Sequence, residues 1–226
     1  MKTKARSIHQ IVEDQAQKWN RLQSEPKAAK RIMPVITVSR EPGSGGKLIA
    51  KGIAQKLGLD MFHQEVIHEM AQSARVETRL LETLDEKGLS VLEDWITSLV
   101  RERHLWPDEY AQHLMKVIAT IGRHGRAVLV GRGANFVLPS DRRFRLRVVA
   151  SQDFRIANVA RDYGVNVKEA KRRVIRTESD RKAFIHKYFN ADISDPLNYD
   201  LVLNTETVSI DAAVAGVSRI LTEQFG

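Results

Sequence analysis

The sequence predicts an α/β fold of three layers, in which helices cover both faces of a central parallel sheet. The first observation is that short, nearly continuous apolar runs alternate with helical patterns, as is typical of buried parallel strands. The second is that one such run, 35–39, passes through a loop with three glycines into a helix at about 46–57. Strand, glycine loop and helix in this order indicate that 35–39 is a central strand.

The other elements follow from the same periodicities. Helices are expected at 5–24, 152–162, 167–189 and 209–224, and strands at 127–130, 144–150 and 201–204. The stretch 63–121 is expected to be mostly helical, with breaks near Gly88 and Pro107, and 58–60 to be a turn.

These elements divide the chain into an N-terminal helical appendage, 1–30, and a main domain, 31–226. Within the main domain, 63–121 forms a helical insertion between the first two clear strands, which indicates a substrate-binding subdomain. The sequence leaves open whether the appendage packs on its own chain or on a second subunit. A homodimer through this helix is therefore one interpretation.

Composition restricts the class of protein. The 226 residues are 42% hydrophobic and 28% charged, which is ordinary for a globular protein. No apolar run reaches the roughly 18–20 residues that span a bilayer, and the basic start lacks the apolar segment of a secretory signal. A chain without cysteine is compatible with a reducing compartment. We therefore expect a cytoplasmic protein that makes no contact with a membrane.

The net charge of +8 indicates an anionic partner. Residues 171–187 concentrate seven basic side chains, which are Lys171, Arg172, Arg173, Arg176, Arg181, Lys182 and Lys187. No array of stacking aromatic residues accompanies them, which makes nucleic acid an unlikely partner. A nucleotide and a small anionic acceptor suit this charge, and a solvated basic face is the alternative.

The glycine loop is the clearest candidate site. Backbone N–H groups at a helix N-terminus attract phosphate, and Lys47 adds a full positive charge. Against the pattern G-x-x-x-x-G-K-[ST], Gly46 and Lys47 match, whereas Glu41 replaces the first glycine and Leu48 the hydroxyl residue. The alternative is a structural glycine turn with a solvated lysine. The predicted phosphate-binding residues are Gly43, Ser44, Gly45, Gly46, Lys47 and Leu48.

Further motifs resemble the cytidylate kinase-like family of P-loop nucleoside-monophosphate kinases. Ser39-Arg40 leads into the glycine loop, Val130-Gly131-Arg132-Gly133 follows the second clear strand, and Asp180-Arg181 lies in the basic stretch. The run 199–205, followed by 209–211, resembles the end of these proteins. The resemblance covers about residues 34–224 and implies a P-loop NTPase fold.

The resemblance also implies roles. ATP would be the phosphate donor at the glycine loop, with Mg²⁺ held mainly by its phosphates. Arg132, together with Arg40, would bind the acceptor, a nucleoside monophosphate such as CMP or dCMP. The stretch 171–190 resembles a mobile lid over the donor and contains Arg173, Arg176 and Arg181. Of these, Arg176 and Arg181 would be the candidates to neutralise charge in the transition state. Lys47, Arg132 and Arg181 would be the catalytic residues.

Several positions depart from the pattern of the family. In cytidylate kinases aspartates flank the Gly-Arg pair, whereas Val130 and Gly133 stand there in this chain. Gln64 replaces an acidic residue after the first helix, and Leu48 lacks the oxygen that would hold Mg²⁺. We therefore keep a second interpretation, a catalytically weak nucleotide-binding protein with a regulatory role. No metal site formed by the protein itself is expected.

Overall fold

The computed structural model describes residues 7–24 and 33–225. Its helices are α1 (Ile8–Ser24), α2 (Gly46–Leu57), α3 (Gln64–Ala71), α4 (Ala74–Leu81), α5 (Glu86–Glu102), α6 (Glu109–His124), α7 (Ala134–Val137), α8 (Gln152–Tyr163), α9 (Val167–Phe189) and α10 (Ile210–Phe225). Its strands are β1 (Val35–Arg40), β2 (Asp60–Phe62), β3 (Ala127–Val130), β4 (Arg143–Val149) and β5 (Leu201–Asn204).

The five strands form one parallel sheet in the order β2-β3-β1-β4-β5. The prediction that 35–39 is a central strand is confirmed, since β1 pairs with β3 on one side and with β4 on the other. Helices α2 and α10 pack together against one face of the sheet, and the insertion and α7 cover the opposite face. The three-layer α/β prediction is therefore correct.

Local sequence explains where the central elements begin and end. The side chains of Val35, Ile36 and Val38 are fully buried, as both faces of β1 are covered. Helix α2 follows Gly45 and ends at Gly58, and both glycines have left-handed backbone angles that side chains disfavour. In the insertion, α5 and α6 begin at aspartate caps that accept hydrogen bonds from backbone N–H groups.

One of the sequence expectations for this region is wrong. The expected turn at 58–60 runs into β2, an edge strand of only three residues that pairs with β3. A strand this short shows too little alternation to be distinguished from a turn. The break near Gly88 is confirmed, because α4 ends at Leu81 and α5 begins at Glu86. Gly88 itself lies in the first turn of α5, where its N–H donates to the cap residue Asp85. The break near Pro107 is confirmed.

The described part of the appendage packs on its own chain. Val12, Ala16 and Trp19 of α1 are buried, and the Trp19 ring stacks on His124 with centroids 3.9 Å apart. Glu13 accepts two hydrogen bonds from Arg79 of α4. The apolar face of α1 is thus used within the chain, and a homodimer through this helix stays a prediction. Residues 1–6 and 25–30 of the appendage lie outside the described residues.

Among the described helices, none combines the length and the apolar character needed to cross a membrane.

Candidate active site

The glycine loop lies at the carboxyl end of β1, where ligands bind in open parallel sheets. Gly43 and Gly45 have φ angles of +80° and +74°. A Cβ at Gly43 would collide with the backbone carbonyl of Arg155, and one at Gly46 would collide with the side chain of Arg40. The loop therefore needs glycine for its shape and for its close packing.

Hydrogen bonds fix the carbonyl groups of this loop. The Asn158 side-chain amide donates to the carbonyl of Gly43 over 2.9 Å, and the Thr205 hydroxyl donates to the carbonyl of Ser44 over 2.8 Å. The first N–H groups of α2, at Gly46 and Lys47, have no partner within the helix. The carbonyl groups of the loop are thus bonded to the protein, while backbone N–H groups remain at the start of α2. This arrangement suits an anion.

Glu41 occupies the position where the sequence pattern expects a glycine, and the structure gives this carboxylate a structural role. It lies 3.2 Å from Nε of Arg155 and 3.6 Å from Nη2 of Arg147, and it accepts the N–H of Ala150. Arg155 is 6% exposed at its side chain and also donates to Glu178 of α9 over 3.0 Å. This ion network joins the glycine loop to β4, α8 and α9.

Two adjoining cavities open at this edge of the sheet. The loop cavity, of about 820 Å³, is lined by all the predicted phosphate-binding residues, including Lys47 and Leu48, and by Arg173 and Arg176. The arginine cavity, of about 390 Å³, is lined by Arg132. Both cavities share the same wall, which consists of Arg40, Gln64, Thr177, Asp180 and Arg181.

The shared wall concentrates positive charge. Arg40 donates to the Gln64 side chain over 2.7 Å, and Arg181 donates to the carbonyl of Arg40 over 2.7 Å. Burial and the nearby Arg181 lower the pKa of Arg40, and burial and Arg147 lower the pKa of Arg181. Because Gln64 is neutral, it binds Arg40 without cancelling its charge. Desolvated cations of this kind are well suited to bind a phosphate.

Arg132 reaches the arginine cavity through an unusual backbone. Gly131, Arg132 and Gly133 all have positive φ angles, of +80°, +54° and +69°. A non-glycine residue in this region is strained and is found preferentially at functional sites. The Arg132 guanidinium lies over the Phe184 ring, 5.2 Å from its centroid. A side chain at Gly133 would collide with the ring of Phe189, so the position has no room for an aspartate.

A wider groove of about 670 Å³ continues from the arginine cavity, with Arg132 and Phe184 on both walls. His68 and Tyr110 of the insertion line it and form a 2.8 Å hydrogen bond. Burial and then Arg132 lower the pKa of His68. Among the described residues of the insertion, Gln64 alone lines the arginine cavity. The insertion therefore contacts the site mainly through this groove.

The residues present fit the phosphates of a nucleotide and a hydrated magnesium ion. Glu65 and Asp180 are carboxylates on the wall of the loop cavity. Burial alone would raise the pKa of Glu65, but its hydrogen bonds, Lys47 and Arg40 outweigh this and lower it. Leu48, exposed at the cavity, has no oxygen to offer. Within the described residues, no cluster of histidines and carboxylates forms a metal site.

The structure brings together every site residue that the sequence predicted. Lys47, Arg173 and Arg176 line the loop cavity, Arg132 lines the arginine cavity, and Arg40 and Arg181 line both. The sequence interpretation missed the residues that support the loop and complete the arginine cavity, which are Asn158, Thr205, Arg155, Asn135, Ile185 and Ile193. Thr205 ends the run 199–205 that resembles the family, but no role followed from it. The elements of the other residues meet only in the folded chain, so no local motif marked them.

The fold and this site define a class: a parallel α/β protein with two adjoining, strongly cationic cavities at the carboxyl ends of its strands. A family model described as the cytidylate kinase-like family matches residues 35–207, and the chain belongs to that family. The match begins at β1, so α1 precedes it.

Curated relatives agree with this assignment. A cytidylate kinase of Ignicoccus hospitalis is 25% identical over 189 residues, which cover 84% of this chain and 99% of the relative. A cytidylate kinase of Pyrococcus horikoshii is 28% identical over 189 residues, covering 83% and 88%. The crystal structure of an uncharacterized protein from Eubacterium ventriosum has a TM-score of 0.64 at 22% identity and covers 84% of this chain and 99% of that one. This last likeness shows the fold alone.

Proposed function

We propose that this protein transfers the γ-phosphoryl group of ATP to a small phosphorylated acceptor, a nucleoside monophosphate such as CMP or dCMP. The observation that carries the proposal is the shared cationic wall between two cavities, one built on a glycine loop and one on Arg132. Two cavities that meet at such a wall can hold two phosphorylated molecules with their phosphates side by side. The names of the curated relatives support the choice of acceptor.

On the donor side, the glycine loop and Lys47 bind the β- and γ-phosphates of ATP. Arg173 and Arg176, on α9 above the loop cavity, supply further positive charge. Magnesium, held mainly by the nucleotide phosphates and water, would neutralise charge on the β- and γ-oxygens. Glu65 and Asp180 would bind its water ligands.

On the acceptor side, Arg132 and Arg40 hold the phosphate monoester of the acceptor. One of its oxygens attacks the γ-phosphorus, the bond from this phosphorus to the β–γ bridging oxygen breaks, and ADP leaves. Arg181, which lies on the wall between the cavities, stabilises the charge on the group in transit. The protein contributes position and charge rather than covalent chemistry.

The stretch 171–190, most of which lies in α9, is proposed as a lid. Its polar contacts to the loop side of the site include the ion pair between Glu178 and Arg155 and the bond from Arg181 to Arg40, and these contacts can separate and re-form as nucleotide leaves and enters. The C-terminal end of α9 is held in the core, because Phe189 is fully buried and Phe184 lies under the Arg132 guanidinium.

A catalytically weak nucleotide-binding regulator is the second candidate. Leu48 in place of a hydroxyl residue and Gly133 in place of an aspartate favour it. The two candidates predict the same binding of ATP but different turnover.

The test is ADP release with Mg²⁺ across CMP, dCMP, UMP, AMP and GMP. If the protein is a kinase, ADP release depends on the acceptor, and Lys47→Ala and Arg132→Ala each reduce this turnover at least tenfold. Lys51→Ala is the matched control, because Lys51 is an exposed lysine one turn further along α2. ATP binding without acceptor-dependent turnover would favour the regulator instead.

A further inference from the structure

Asn135 is a buried polar residue in the wall of the arginine cavity. It lies in α7, one turn after Arg132, and only 6% of the residue is exposed. Its side-chain nitrogen Nδ2 is fully buried and has no hydrogen-bond partner among the described residues. More than nine in ten buried polar groups in proteins have a partner. An amide left without one in a cavity wall is a position where a ligand can complete the bond.

The neighbours of Asn135 indicate which part of a ligand it meets. Asn135 lines the arginine cavity but not the loop cavity, and the same is true of Ser39, Arg132, Phe184, Ile185 and Ile193. This part of the cavity therefore lies away from the donor side, and it combines the Arg132 guanidinium with three apolar side chains. A phosphate fits the arginines of the shared wall, whereas a planar apolar ring with one accepting oxygen fits the end that holds Asn135.

We propose that Asn135 is a specificity-determining residue, whose amide donates a hydrogen bond to a ring carbonyl of the acceptor. The inference rests on the proposed function and deepens it, because it names the acceptor feature that the protein recognises. CMP and UMP both carry a carbonyl on the ring. AMP has none, and ribose 5-phosphate has no ring base at all. A site built to bond an oxygen discriminates against molecules that lack it, because its own polar group then stays unpaired.

The test compares Asn135→Leu, which keeps the branched shape without polar atoms, with the wild type by calorimetric titration of four probes. We expect the affinity for CMP and for UMP to fall about tenfold, since the ring carbonyl is then buried without a donor. The affinities for AMP and for ribose 5-phosphate should stay within about twofold. Asn135→Ala, which needs no extra space, should give the same pattern if leucine does not fit.

Thermal stability without ligand gives a second readout. Removal of a buried amide that has no partner should raise the Tm by about 2–4 °C, whereas removal of a structural amide lowers it. Ser218→Ala is the matched control. The Ser218 hydroxyl on α10 is also buried and has no hydrogen-bond partner in the part of the chain that the structure describes, so this variant should raise the Tm and leave all four affinities unchanged.

Four results would overturn the assignment. CMP affinity that neither variant changes would show that the amide does not meet the acceptor, and equal losses for CMP and ribose 5-phosphate would place its contact at the phosphate or sugar. A Tm lowered by Asn135→Leu, with CMP affinity kept by Asn135→Ala, would make the residue structural. Wild-type protein that binds no monophosphate would refute the proposed function itself and this assignment with it.

Discussion

The loop cavity and the arginine cavity share a wall but are built in opposite ways. The floor of the loop cavity is one continuous stretch, Gly43–Leu48, which offers backbone N–H groups and one lysine, while Arg173 and Arg176 stand on the cavity wall. The arginine cavity takes side chains from β1, α3, the β3–α7 connection, α7 and α9. Its arginines, amides and apolar groups come from positions far apart in the sequence.

This difference indicates which binding property substitutions can change and which they cannot. Backbone N–H groups bind the phosphates of a nucleotide whatever the side chains around them are. The loop cavity therefore suits a donor that is the same for many acceptors. A cavity of side chains can be altered one residue at a time, so the choice of acceptor is expected to depend on the arginine cavity. Of the departures from the family pattern, Gly133 lies on this second side, Gln64 on the shared wall and Leu48 in the loop cavity.

The largest effect is expected from Lys47→Ala. Loss of one charge-assisted contact costs about 1.5–3 kcal/mol, so the affinity for ATP or the turnover should fall roughly ten- to a hundredfold. ATP titration and steady-state kinetics measure it, with Lys51→Ala as the control on the same helix. Unchanged affinity and turnover would remove the donor role from the loop cavity.

The second prediction concerns the support of the loop. Glu41→Gln keeps an acceptor for the N–H of Ala150 but removes the charge that faces Arg147 and Arg155. Because Arg155 is buried, we expect a loss of about 2 kcal/mol in the free energy of unfolding. Denaturant unfolding measures it, and Glu82→Gln, at an exposed ion pair with Arg79, should change little. Equal stabilities of the two variants would contradict the role given to Glu41.

The third prediction lies outside both cavities. Burial lowers the pKa of His124 from 6.5 to about 4, with a further contribution from Arg123. The unfolded chain then binds a proton that the folded chain rejects, so this contribution to stability is complete above pH 6.5 and is lost as the pH falls towards 4. The full shift corresponds to about 3 kcal/mol, and we expect about half of it because the ring is partly exposed.

Urea unfolding of the wild type and of His124→Gln between pH 7.5 and 4.5 checks this. The stability of the wild type should fall more steeply than that of the variant, whereas parallel curves would refute the buried neutral histidine. ATP and acceptor binding at pH 7.5 should be alike in both, because His124 contacts Trp19 and Thr83 rather than either cavity.

The smallest effect is expected in the lid. Four of the seven basic side chains in 171–187 pair with carboxylates, and the phosphates of a bound nucleotide would neutralise the remaining positive charge of this stretch. Hydrogen exchange in this stretch should therefore slow several-fold when a non-hydrolysable ATP analogue is added, while exchange in α10 stays the same. Equal protection with and without the analogue would show that this stretch is no lid.

The same difference between the cavities explains what the sequence could predict. β1, the glycine loop and α2 are contiguous, so a local pattern was enough to find them and to place Lys47. Arg132 was found because Val130-Gly131-Arg132-Gly133 resembles a motif of the family. Asn135 carried no signal, since its importance comes from a cavity that forms only when α9 and Ile193 pack beside it. The edge strand β2 was missed because its three residues pair with β3, a contact across more than sixty positions.

The division of labour between the cavities is tested most directly by ATP titration of Arg132→Ala beside Lys47→Ala, with kcat/KM for CMP measured on both. The account predicts that Arg132→Ala binds ATP within about twofold of the wild type while its kcat/KM for the acceptor falls roughly ten- to a hundredfold. Lys47→Ala should lose ATP affinity or turnover. If Arg132→Ala loses ATP as severely as Lys47→Ala, or keeps full activity on every acceptor, the two cavities do not divide donor from acceptor.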